Sequence, residues 1–116
     1  MELSQLLADL NVDAPGLLNR FSGNEALAKR FLLKFPSDAT YSRLKAACEA
    51  NDFGAIANEA HSLKGIALNL GLNNLGNQSS ELCEYMRAGK TDGLQAFFDG
   101  ITSEYERVSK LISEFN

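Results

Sequence analysis

The chain has a single histidine, His61, with Lys64 three positions further on and Gly65 four. On a helix, residues three and four apart share a face, with Cβ atoms roughly 5–6 Å apart. An imidazole near neutral pH can act as base, nucleophile or metal ligand. A metal site is disfavoured, because no second histidine exists and neither Cys48 nor Cys83 lies on the same turn. A hydrolytic triad would need an orienting carboxylate and a serine within a pocket, and Ser62 points about 100° away on a helix. Nucleophilic attack on a phosphorus presented by another protein asks for less: an exposed ring nitrogen, room for the donor and a nearby cation. His61, Gly65 and Lys64 are residues of those types. An ordinary surface histidine, with Gly65 serving only close helix packing, remains the alternative on these residues alone.

The helix that must carry them is legible. Phe53, Ile56, Ala60, Leu63, Ala67 and Leu70 step by three and four, which places His61 about 100° off the apolar seam, towards solvent. Its helical neighbours are Ala57, Asn58, Lys64 and Gly65. A second seam runs Leu72, Leu75, Ser79, Leu82, Met86, and a third Leu94, Phe98, Ile101, Tyr105, Val108, Ile112, Phe115. Upstream, Leu27, Phe31, Leu32 and Phe35 form an apolar face on a helix starting after Asn24. Pro36 stops or kinks that helix, Ser37 or Asp38 caps its continuation, and the continuation buries Tyr41, Leu44 and Cys48. Short helices are expected over roughly 2–9 and 13–21. Asp52 caps the histidine helix, Gly71 ends it, and Thr91 or Asp92 caps the last helix. Strand-like alternation is absent. The expected fold is all-α, an up-down antiparallel four-helix bundle with additional short N-terminal helices, in one domain over residues 1–116.

Composition narrows the function classes. The 116 residues hold 45% hydrophobic and 22% charged side chains, enough for one core and no second domain. A net charge of -4 speaks against nucleic acid and anionic membranes as partners. The charge is uneven: residues 17–47 carry Arg20, Lys29, Arg30, Lys34, Arg43 and Lys45 against Glu25 and Asp38, while residues 48–116 are net acidic. Solvated helix faces explain this; a basic stretch that attracts an acidic partner is the sharper reading. No apolar run reaches the roughly 20 residues of a membrane span. No basic start leads into an apolar leader, and two cysteines make no disulfide framework, so a reducing, cytoplasmic setting is expected. Met1 and the lack of a linker suggest a free-standing chain. No Gly-rich nucleotide loop is present, so the chain is not expected to phosphorylate itself from ATP.

The stretch Ala60-His61-Ser62-Leu63-Lys64-Gly65-Ile66-Ala67-Leu68-Asn69-Leu70-Gly71 resembles the signature of histidine-containing phosphotransfer (Hpt) domains. The resemblance continues at Leu75 and at the Arg87-Ala88-Gly89 helix ending. Upstream, Arg20-Phe21-Ser22-Gly23-Asn24 with Phe31, Leu32 and Phe35 is similar to the family's entry into its bundle. The resemblance implies a phosphorelay intermediate rather than an enzyme. His61 would take a phosphoryl group through Nε2 from a receiver-domain aspartate and pass it to another receiver. It further implies that Lys64 neutralises the phosphoryl oxygens, that Gly65 leaves space for the receiver, and that Arg87 is a candidate second positive charge. Response-regulator receiver domains and a hybrid sensor kinase are the implied partners of a monomer that holds no cofactor or metal. One departure stands out: many members carry glutamate near the position of Cys83, where the nearest acid here is Glu84. Two rivals are a helical adaptor with a chemically idle histidine and the dimerisation hairpin of a sensor kinase. The hairpin usually has an acid after its histidine, where this chain has Ser62.

Overall fold

A computed structural model describes residues 2–115. Among them every regular element is helical: α1 Leu3–Asp9, α2 Ala14–Arg20, α3 Glu25–Lys34, a 3-10 turn Phe35–Ser37, α4 Thr40–Glu49, α5 Phe53–Asn69, α6 Asn73–Arg87 and α7 Leu94–Ser113. The two short N-terminal helices fall where residues 2–9 and 13–21 were expected. Consecutive long helices pack together, α4 on α5, α5 on α6 and α6 on α7.

Helix ends are set by local chemistry. The side chains of Asn24 and Asp52 accept hydrogen bonds from Leu27 N (2.9 Å) and Ala55 N (3.2 Å), satisfying one orphan donor at each helix start. Five helices stop alike, with Asn11, Ser22, Asn51, Gly71 and Gly89 at positive φ. At the end of α5, Leu72 N reaches back to Ala67 O (2.9 Å) and Gly71 N to Leu68 O (3.1 Å), the paired bonds of a Schellman stop. Arg20 Nε donates to Asn69 O at 2.8 Å, so a cation from α2 covers a free carbonyl at the negative end of α5.

Two expected caps are corrected. The N-cap of α7 is Gly93, and neither Thr91 nor Asp92 caps it. The Tyr85 hydroxyl donates to the Asp92 carboxylate and accepts from Gly93 N at 2.6 Å, so a side chain from α6 does the capping. The N-cap of α4 is Ala39, although the Asp38 carboxylate still accepts from Thr40 N at 2.8 Å.

The core takes most of the expected seams. Ile56, Ala60, Leu63 and Ala67 are buried on α5 and Leu70 just after it, as are Leu72, Leu75, Ser79, Leu82 and Met86 on and just before α6. Buried Ser79 donates to Leu75 O at 2.8 Å, which satisfies its hydroxyl within the helix. Phe53, expected to begin the α5 seam, is exposed in the first turn. Phe31 is also exposed, and α3 buries Ala28 and Leu32 instead. Tyr41 and Cys48 are half-buried around fully buried Leu44. Tyr41 stacks on Tyr105 with centroids 3.9 Å apart, and Tyr105 donates to Pro36 O at 3.1 Å, tying α4 and the 3-10 turn to α7.

Gly76, unremarked in the sequence, lies at a close approach of α5 and α6. A Cβ there would collide with the Leu68 side chain and lie 2.7 Å from its Cγ. Gly76→Ala gains up to about 1 kcal/mol of helix propensity and loses roughly 1–3 kcal/mol to overpacking. The expected net loss of about 1 kcal/mol lowers the melting temperature by roughly 4 °C; an unchanged or raised melting temperature would show that the contact relaxes freely.

Candidate functional site

The site is built on α5, the helix with the firmest footing. Ala60 and Leu63, which flank His61 on the seam, are wholly buried, and this fixes the roll of the helix. His61 therefore projects to solvent, as its position 100° off the seam requires. Among the described residues its imidazole has no side-chain hydrogen-bond partner and no ion pair, so neither ring nitrogen is occupied. Lys64 is half-buried one turn on; its ammonium also enters no ion pair among the described residues.

Gly65 gives the site its shape. A Cβ built there meets nothing within 4 Å, in contrast to Gly76. The internal fold therefore gives no steric reason for glycine in mid-helix, where it costs about 1 kcal/mol relative to alanine. What it produces is a bare backbone ledge one turn from the ring, bounded by Leu68, whose side chain is drawn onto Gly76.

The Leu68–Gly76 contact also sets the levels of the α5–α6 hairpin. Counting seven positions away from it along each helix brings His61 level with Cys83, and Arg87 stands about 6 Å further along the axis. Cys83 is buried, so no carboxylate at that position orients the imidazole; Glu84 beside it is exposed. Arg87 ends α6 exposed and without an ion pair among the described residues. His61, Lys64 and Gly65 thus lie on one helix face, while Arg87 belongs to the neighbouring helix, beyond the level of the ring.

The arrangement offers an exposed nucleophile, a cation one turn away and an unobstructed approach. It offers no enclosed pocket around the ring, and no group of three metal-binding side chains occurs among the described residues. The ring is therefore open to solvent and to a partner of any size.

Searches of curated proteins and of solved structures give no match. A family model described as Hpt domain matches residues 35–111, from the 3-10 turn through α4, α5, α6 and most of α7. The match spans about two thirds of the chain and contains every residue of the candidate site, and this chain belongs to the histidine-containing phosphotransfer (Hpt) domain family.

Proposed function

We propose that this domain is a phosphorelay intermediate in which His61 accepts a phosphoryl group from a receiver-domain aspartate and hands it to a second receiver. Hpt domains serve phosphotransfer in two-component signalling as phosphocarriers, with receiver domains and kinases as partners. In this reading α4 to α7 form an up-down antiparallel four-helix bundle with α1 to α3 as N-terminal additions, the whole being one domain. The short links between α4, α5, α6 and α7 favour that arrangement. The carrier acts as a cytoplasmic monomer; among the described residues no helix is long and apolar enough to cross a membrane.

The chemistry needs little from the carrier. The Nε2 lone pair forms the N–P bond as the P–O bond to the donor aspartate breaks. The aspartate leaves as a carboxylate, and the ring keeps the proton on Nδ1. Lys64 offsets charge on the phosphoryl oxygens, and Arg87 supplies a more distant positive field. Transfer onward reverses these steps on the next receiver.

The observation that carries the reading is the open ledge at Gly65 beside an unpartnered, exposed imidazole. The test is to charge the receiver domains of the source genome with labelled phosphate and mix each with this protein. Label that moves onto this chain, stable in alkali and lost in acid, identifies a phosphoramidate. Absence of transfer from every receiver to folded protein overturns the reading in favour of an idle-histidine adaptor. Lys64→Ala is expected to slow transfer roughly ten-fold, about 1.4 kcal/mol of barrier, with the fold intact. An unchanged rate in single-turnover measurements would remove Lys64 from the site.

A further inference from the structure

Five glycines lie inside helices among the described residues, and two of them make room for nothing within the chain. At Gly16, Gly76 and Gly100 a side chain stands within 3.4 Å of the place a Cβ would take. At Gly65 nothing lies within 4 Å, and at Gly54 only the Asp52 carboxylate does, at 4.0 Å. At 100° per residue, Gly54 stands about 20° and Gly65 about 40° from His61 around α5. Both open glycines are therefore on the histidine's own line, Gly65 about 6 Å beyond it and Gly54 about 10 Å before it. The cleared face runs past the ring in both directions.

Beside the outer end of that line is Phe53, whose side chain is left 45% exposed. It lies about 12 Å along the axis from His61 and about 80° round the helix, on the side where Lys64 and Leu68 also lie. The contact of Leu68 with Gly76 marks this as the side of α6. Counting eleven positions from that contact along each helix brings Ala57 level with Arg87, the last residue of α6. Phe53 stands one turn further out, past the end of α6, so that helix supplies nothing to cover its ring. Its backbone is fixed by the cap that Asp52 places on Ala55 N. Phe31, the other exposed large apolar side chain, belongs to a different surface. It lines a groove with Ile66 and Leu70, which lie about 140° and 180° round from His61.

Two observations say what covers Phe53. The first is continuity with the histidine. A protein that exchanges a phosphoryl group with Nε2 must sit on the ring, and a stable interface covers roughly 800 Å² per partner, a patch of roughly 16 Å radius. Helical dimensions place the Phe53 side chain about 14 Å from that of His61, inside such a patch and on the same exposed side of α5. The second is charge. Arg87, level with Ala57 and so between Phe53 and His61 along the axis, is exposed and makes no ion pair among the described residues. Asp52, the carboxylate next to Phe53, is engaged as the helix cap. This end of the face is suited to a partner that carries an anionic phosphoaspartate.

We infer that the receiver domain docks towards the N-terminal end of α5, with Phe53 as its apolar anchor and Gly54 as a second cleared position beneath it. The inference rests on the phosphorelay reading of His61. Phe53 and Gly54 then contribute affinity and partner choice, and His61 with Lys64 contributes the chemistry.

Phe53→Ser and Gly54→Gln alter this end of α5 and leave the imidazole, Lys64 and Gly65 untouched. With a charged receiver that labels the wild-type chain, each variant is expected to raise the half-saturating receiver concentration roughly ten-fold, at unchanged maximal transfer rate and wild-type helical signal. Phe31→Ser, on the other surface, is expected to leave half-saturation where it was. Labelling of the wild type with unchanged half-saturation in either α5 variant overturns the inference and leaves the phosphorelay reading standing. A lower maximal rate at unchanged half-saturation, or a rise in Phe31→Ser as large as that in Phe53→Ser, overturns it as well. Failure of every receiver to label the wild type overturns the phosphorelay reading, and the occupant named here with it. A concentration-dependent dimer in sedimentation that Phe53→Ser abolishes assigns the anchor to a second copy and likewise overturns the inference.

Discussion

His61→Gln is expected to reduce phosphoryl transfer to background while leaving the fold untouched. Glutamine has a similar reach and a better helix propensity, and it carries no nucleophilic nitrogen. Because the imidazole is exposed and has no side-chain partner among the described residues, the substitution removes no internal contact. Stability should stay within about 0.5 kcal/mol of the parent. Helical signal and melting temperature should therefore coincide with wild type, while label from a charged receiver disappears. Residual label that is stable in alkali would place the acceptor elsewhere. Partner functions that persist in full in His61→Gln would identify an adaptor that keeps the family's motif without using it. The experiment separates chemistry from scaffolding because so little of the scaffold depends on this side chain.

That separation reflects what one helix can encode by itself. The spacing of His61, Lys64 and Gly65, and the roll that turns them outward, follow from three-and-four periodicity along α5, so the sequence displays them directly. The caps at Asn24 and Asp52 and the glycine stop at Gly71 are equally local, decided within a few residues. Misreadings occur where a choice depends on a distant partner. In α3, apolar residues at 27, 28, 31, 32 and 35 define two overlapping faces. In the folded chain Ala28 and Leu32 are the buried pair and Phe31 is left outside. The start of α7 looked like a Thr91 or Asp92 cap, but Tyr85, on the previous helix, holds Asp92 and receives Gly93 N. Gly65 and Gly76 are alike in sequence, each a glycine inside a helix. Only the neighbouring helix distinguishes them, by pressing Leu68 onto one and nothing onto the other.

This contrast yields the second large effect. Gly65→Gln is expected to stabilise the domain and disable it. Nothing lies within 4 Å of the position a Cβ would take, so the added side chain meets no clash inside the chain. Replacing a mid-helix glycine with glutamine gains up to about 1 kcal/mol, which raises the melting temperature by roughly 4 °C. The same side chain fills the ledge beside His61, where a receiver must bring its aspartate within bonding distance of Nε2. Displacing reacting groups by about 1 Å can cost on the order of 100-fold in rate, and a loss of at least that size is expected here. Gly65→Ala, with a single methyl group, should gain similar stability and lose less transfer. A rise in stability together with a fall in transfer shows that the glycine is kept for a partner rather than for the fold. Normal transfer by Gly65→Gln would remove the access argument, and with it the strongest physical reason for reading His61 as a docking site.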